Sequence, residues 1–204
     1  FPPFTNVHLR LRGMHLLMSY IGCVGTLMEN SGLGEILSGP FGGVPKMFSR
    51  KKFAKNLRAL RMLTEEVLRP PLTAHDITTF EEMTELLDNL SKESRTAELW
   101  IECLIKPLLI MMRYVRAERE SDWPLHLLTV NEMLPLFFAS GHQNYARYGT
   151  YYVMSMEDLP TDVQDHFLRG EHTVHHNAGL ANGIWSDMAI ETTYMRYGHG
   201  RSGH

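Results

Sequence analysis

From Leu104 to Met112 the chain reads LIKPLLIMM, which leaves a helix almost no side for water. This run lies inside a longer helical pattern, Thr96 to Glu118, apolar nearly all round, so that helix must be central and buried. The other elements then have to pack around it. Pro107 falls within the pattern and the periodicity continues past it, which predicts a kink rather than a stop. The apolar run from Cys103 to Met112 is broken by Lys106 and Pro107 and is too short to cross a bilayer. No signal peptide is visible, so no membrane association is expected.

The flanking stretches repeat the helical rhythm. Met14 to Asn30 carries Leu17, Ile21, Val24 and Met28 at helical spacing and ends at Ser31-Gly32. Gly22 and Gly25 inside it suggest close approach of another backbone. Ser38 to Pro45 reads as a loop or hinge. A helix from roughly Lys46 to Arg69 follows and is expected to stop at Pro70-Pro71. Thr78 to Leu90 is an amphipathic helix with Thr78 or Thr79 as cap and Glu81 and Glu82 in its first turn. Asp122 and Pro124 open another helix with a second kink at Pro135. Tyr145, Tyr148, Tyr152 and Met156 share one helical stripe, read as core packing with hydroxyls at the rim in preference to a base-stacking surface. Thr161 to Arg169 is a short helix capped by Thr161. Strand signals are confined to Val7 to Arg12, which alternates with period two, and an extended stretch at Glu171 to His176. The fold class is therefore mainly α: an irregular helical bundle with one or two short strands.

Net charge of −3 excludes a wholly basic nucleic-acid binder but leaves room for local patches. The most lopsided patch is Lys46, Arg50, Lys51, Lys52, Lys55, Arg58 and Arg61, which presents cations to phosphates if it is functional. The bland alternative is a solvated face balanced by Asp76 to Glu102, where eight acids face Lys92 and Arg95. Cys23 and Cys103 sit far apart in apolar helical patterns and read as buried thiols in a reducing compartment. His172, His175 and His176 cluster, but no helical H-x-x-x-H and no CxxC accompanies them. They read as surface or turn histidines in preference to zinc ligands. Neither G-x-S-x-G nor a phosphate-binding loop occurs.

The remaining chemistry lies in Asn182 to Gly200, NGIWSDMAIETTYMRYGHG. As a helix this places Asp187 and Glu191 one turn apart on one face, with Ser186 or Asn182 as cap and Gly198 and Gly200 as stop. Metal-assisted phosphoryl transfer needs several carboxylates to converge on Mg2+. Glu191, with Asp187, supplies one arm as catalytic acid and metal ligand. No acid precedes Glu29, so the Val7 to Arg12 segment brings none.

Three blocks, LRLRGMHLLMSYIGCVGTLMENSGL at Leu9 to Leu33, FFASGHQNYARYGTYYVMSMEDLP at Phe137 to Pro160 and GIWSDMAIETTYMRYGHG at Gly183 to Gly200, together resemble a group of animal proteins found in many copies per genome and encoded by mobile elements. Their arrangement is similar to cut-and-paste transposases of the RNase H-like, DDE type, in which inserted helices separate early strands from a late helix bearing the last catalytic acid. The resemblance implies the C-terminal part of an RNase H-like core at residues 1–37 and 170–204, with a helical insertion at 38–169. It places Glu191 at the late acid, implies DNA and Mg2+ as partners, and implies an intracellular, nuclear setting. The chain, from Phe1 to a Gly-rich end, reads as a single fragment of a larger protein, inactive alone. The competing expectation is a non-catalytic helical interaction or self-associating module whose charges satisfy one another.

Overall fold

A computed structural model describes residues 7–41, 53–175 and 183–190, without the side chains of 37, 39–41 and 55. Among these residues the chain is mainly helical, with a single two-stranded antiparallel sheet, as an irregular helical bundle requires. Its contacts divide it into two compact units. One comprises Met18–Met112; in the other, Phe1–Leu17 joins Arg113–His204.

In the Met18–Met112 unit, helix α1 (Gly13–Leu27) contributes most of its length, and Ile21, Val24 and Met28 are all buried on the expected stripe. A Cβ on Gly22 would meet open space, so the close backbone approach expected there is not made. Helix α2 (Leu33–Phe41) corrects the loop expected from Ser38. Gly39 and Pro40 fall in its last turn, and the Ser38 hydroxyl secures that turn by donating to the Glu35 carbonyl at 2.7 Å. Helix α3 (Phe53–Ala74) likewise corrects the stop expected at Pro70-Pro71. Buried Leu68 and half-buried Leu72 continue its apolar side past the prolines. Main-chain bonds from His75 to Pro71 and from Ile77 to Leu72 close its end.

Helix α4 (Phe80–Ser91) starts where the sequence placed it. Thr79 Oγ1 accepts from the Glu82 amide at 3.2 Å, and Glu82 Oε2 accepts from the Thr79 amide at 3.0 Å. These bonds satisfy two amides left without helical partners, and the Thr78 and Thr79 backbone amides hold the Glu82 carboxyl below its ordinary range. The central helix is interrupted. Helix α5 (Arg95–Trp100) leads through a π-helical turn (Ile101–Ile105) into α6 (Lys106–Glu120). The wider turn falls immediately before Pro107, whose ring blocks the regular helical bond; the expected kink takes this form. No residue from 103 to 115 is exposed, so the burial foreseen for this run holds.

In the other unit, α7 (Trp123–Ala139) and α8 (Gln143–Glu157) form a helical hairpin, and α9 (Thr161–Leu168) follows. Asp122 caps α7, accepting from the Leu125 amide at 3.0 Å. Pro160 rather than Thr161 caps α9, with no side-chain bond. Strand β1 (Val174–His175) pairs with β2 (Gly183–Ile184), Val174 opposite Ile184. A helical turn then covers 186–190. The Val7 to Arg12 segment corrects the expected strand: among the described residues it has no sheet partner, and Arg10 holds it by side-chain contacts instead.

Thr79→Ala removes the cap of α4 and is expected to lower stability by about 1 kcal/mol. Urea denaturation monitored by far-ultraviolet circular dichroism measures it; an unchanged midpoint would show that the capping box does not hold this helix.

Candidate functional site

Described residues of the three sequence blocks meet around the first turn of α1, where the Tyr145 hydroxyl donates to the His15 carbonyl at 3.4 Å. Gly13 opens that helix beneath Trp185; a Cβ there would lie 2.3 Å from Trp185 Cδ1 and 2.8 Å from the Tyr114 hydroxyl. Trp185 stacks on Tyr114 with centroids 6.3 Å apart and planes 21° apart. Gly183 passes just as close to the end of α6: a Cβ on it would lie 2.0 Å from the Glu118 carbonyl oxygen. Only glycine fits at either point, and together they set the path of 183–190.

That path delivers Asp187, only 6% exposed, to the N-terminus of α1. Its Oδ1 accepts from the Met14 amide at 3.3 Å, and its Oδ2 from the His15 amide at 3.3 Å and from His15 Nδ1 at 2.9 Å. Asp187 is thus an N-cap supplied from the far end of the chain, satisfying amides that α1 leaves without helical partners and complementing its dipole. The Met188 amide adds a further bond to Oδ1 at 3.1 Å.

Beneath this contact runs a chain of buried polar groups. Glu118 is 2% exposed and His126 3% exposed, and Glu118 Oε1 lies 2.5 Å from His126 Nδ1. A carboxylate accepts, so His126 Nδ1 carries a proton and donates to Glu118, and His126 Nε2 bonds the Tyr152 hydroxyl at 3.0 Å. Arg10 closes the assembly. Its guanidinium lies 5.7 Å from the Trp123 ring centre and 5.2 Å from that of Phe167, and Nη1 donates to the His172 carbonyl at 2.6 Å. The His172 ring packs against Trp123 and His126, and its Nδ1 bonds the Phe167 carbonyl at 3.2 Å.

Burial pushes the Tyr152 hydroxyl up to about 12, against the pull of Arg10, and raises Tyr114 well above its ordinary value, with Glu118 adding to the effect. Burial lowers His172 to about 4; Glu118 opposes that shift, and His126 and Arg10 reinforce it. At neutral pH both tyrosines therefore keep their protons and His172 is uncharged, which suits a fixed hydrogen-bonded scaffold better than proton transfer.

The sequence-derived site residues are scattered by comparison. Asp187 is the capping residue just described, while Glu191 lies outside the described residues, as do Lys46, Arg50, Lys51 and Lys52. The side chain of Lys55 is also outside them. Arg58 is exposed, and Arg61 pairs with Glu65 on its own helix at 3.2 Å, both exposed. Among the described residues no group of three or more His, Cys, Asp or Glu is placed to hold a metal ion. His175, exposed on β1, bonds the Ser121 hydroxyl at 3.0 Å, and His176 lies outside the described residues. No helix among the described residues is long and apolar enough to cross a membrane.

Sequence reasoning passed over Glu118, His126 and Arg10. Their signal was register. Glu118 follows Met111 and Tyr114, and His126 lies between Trp123 and Val130, each on the buried stripe of its helix. A charged group on a buried stripe calls for a buried partner.

The family model for a domain of unknown function, DUF8702, matches residues 2–75 and 71–204, essentially the whole chain. The chain belongs to the DUF8702 family. No curated protein and no solved structure gives a significant match to this DUF8702 chain.

Two variants probe the buried chain. Glu118→Ala strands His126 without its acceptor and is expected to cost about 3 kcal/mol or more, read as a fall in urea midpoint; a loss under about 1 kcal/mol would contradict the pairing. His172 takes up its proton near 6.5 in the unfolded chain and near 4 in the folded one, so the unfolded chain binds more protons between those values. Its contribution is complete above about pH 6.5 and is lost as pH falls toward 4. His172→Gln should flatten the stability profile across that window, measured by denaturation at fixed pH steps, and a variant profile parallel to wild type would remove His172 from the effect.

Proposed function

We propose that this chain is the helical part of a transposase-like, DNA-acting protein, inactive alone, in which Asp187 is a positioning residue and not a metal ligand. The observation that carries this is the occupation of both Asp187 oxygens by the α1 amides and His15. A magnesium centre needs several carboxylates with oxygens left for the ion, and the described residues alone do not supply such a cluster. In this reading Glu191, four residues after Asp187 in sequence, is the acid of the block offered to a centre completed by other residues. The resemblance to mobile-element proteins supports the transposase-like parentage. The basic run from Lys46 to Arg61 is the part assigned to DNA phosphate, and a nuclear setting follows from the same reading.

The test is metal-dependent DNA cleavage by the full-length protein. Glu191→Gln should abolish cleavage with the thermal midpoint unchanged. Asp187→Asn should lower the thermal midpoint and the cleavage rate while leaving the Mg2+ concentration for half-maximal rate where it was. A shift of that concentration in Asp187→Asn would make Asp187 a ligand and overturn the proposal, and cleavage retained by Glu191→Gln would remove Glu191.

A second reading, a protein-interaction module, is favoured by one observation. The outer face of α8 exposes Tyr148, Tyr151 and Met154 by 57%, 68% and 60%.

A further inference from the structure

The stripe expected at Tyr145, Tyr148, Tyr152 and Met156 is divided by the fold. Tyr152 and Met156 enter the core and Tyr145 is half-buried, whereas Tyr148 is exposed beside two residues outside that stripe, Tyr151 and Met154. Exposed Asn144, Arg147 and Asp158 extend the same face, because 144, 147, 148, 151, 154 and 158 follow helical spacing. The Arg147 guanidinium lies 5.3 Å over the Tyr148 ring. Tyrosine, arginine and methionine are the residues enriched at the centres of protein interfaces.

The charges on this face are ordered. Its first half carries Arg147 and the positive end of the α8 dipole, with no acid in the first turn. Its far end carries Asp158, the C-terminal capping residue. A helix face basic at one end, acidic at the other and aromatic at the middle is complementary to itself when reversed. We propose that α8 pairs antiparallel with α8 of a second copy of this chain about a two-fold axis at Tyr151. This rests on the interaction-module reading and names its partner.

The register follows from the spacing. With Tyr151 against Tyr151 of the second copy, Arg147 lies beside Met154 of that copy, one helical turn from its Asp158. Asn144 comes level with the same Asp158. A two-fold contact of this kind is isologous and closes at two copies. Alpha8 has 15 residues and is about 22 Å long, so the contact falls at the small end of specific interfaces. The expected dissociation constant is on the order of micromolar.

Sedimentation velocity on the full chain, at concentrations from about 1 to about 200 µM, tests this. Wild type should pass from monomer to dimer across that range and weaken as salt is raised. Tyr151→Arg, which sets two cations against each other on the axis, should abolish the dimer. Arg147→Glu and Asp158→Arg should each weaken it about tenfold or more, and the double exchange should restore it, with circular dichroism confirming the fold of each variant. Wild type monomeric throughout, higher oligomers in place of a dimer, a dimer unaffected by Tyr151→Arg, or a double exchange that does not recover would overturn the proposal. So would monomeric protein whose tyrosine fluorescence is quenched by single-stranded oligonucleotide, since that face would then serve nucleic acid. None of these outcomes alters the full-length cleavage test of Asp187 and Glu191, so failure of the dimer leaves the transposase-like reading standing.

Discussion

One carboxylate at the start of a helix governs the arrangement of the unit that joins the two ends of the chain. Asp187 accepts bonds from amides 173 and 172 residues earlier in sequence. A hydrogen bond nets about 1 kcal/mol, roughly doubled when one partner is charged. Closing a loop of such length costs several kcal/mol. The contact therefore does not assemble the unit unaided. Trp185 packed over Gly13 and Gly183 packed on Glu118 bring the segment in, and Asp187 then fixes its register, because a buried carboxylate tolerates no slip away from its donors. Arg10 does the corresponding work a few residues earlier, tying the extended segment to Trp123, Phe167 and His172.

The Glu118, His126 and Tyr152 chain has the same character. An apolar core of equal volume would be as stable or more so, since burying ions carries a desolvation cost. What the polar chain adds is uniqueness: three elements, α6, α7 and α8, are locked at one set of heights because each donor has one acceptor. This explains why the site reads as a scaffold. Glu118, His126 and Tyr152 are buried and bonded to one another, and burial holds the Tyr152 hydroxyl protonated and the His172 ring uncharged near neutral pH.

Much of the helical layout was legible in the sequence because local chemistry determined it. The Thr79 and Glu82 capping box, the Asp122 cap and the apolar run over Leu104 to Met112 each act within a few residues. The misreadings arose where neighbouring structure overrode a local signal. Pro70-Pro71 continues a helix because its apolar side still finds burial, and Val7 to Arg12 alternates like a strand but is held by Arg10 rather than by a ladder. The site was half legible. Asp187 stood out as an acid in an apolar, aromatic setting, yet its partners lie at the opposite end of the sequence, where no periodicity points to them. Glu118 and His126 are on different helices, and their pairing becomes visible only once both stripes are known to face one core.

The most direct measurement is amide hydrogen exchange at Met14 and His15, followed by nuclear magnetic resonance in wild type and in Asp187→Ala. Loss of the long-range cap should speed exchange at these two amides by about tenfold or more, given that about 1.4 kcal/mol is a factor of ten, while amides in the middle of α8 stay protected. Unchanged exchange at Met14 and His15 would show that Asp187 does not hold the start of α1, and the account of how the two ends of the chain are joined would be wrong.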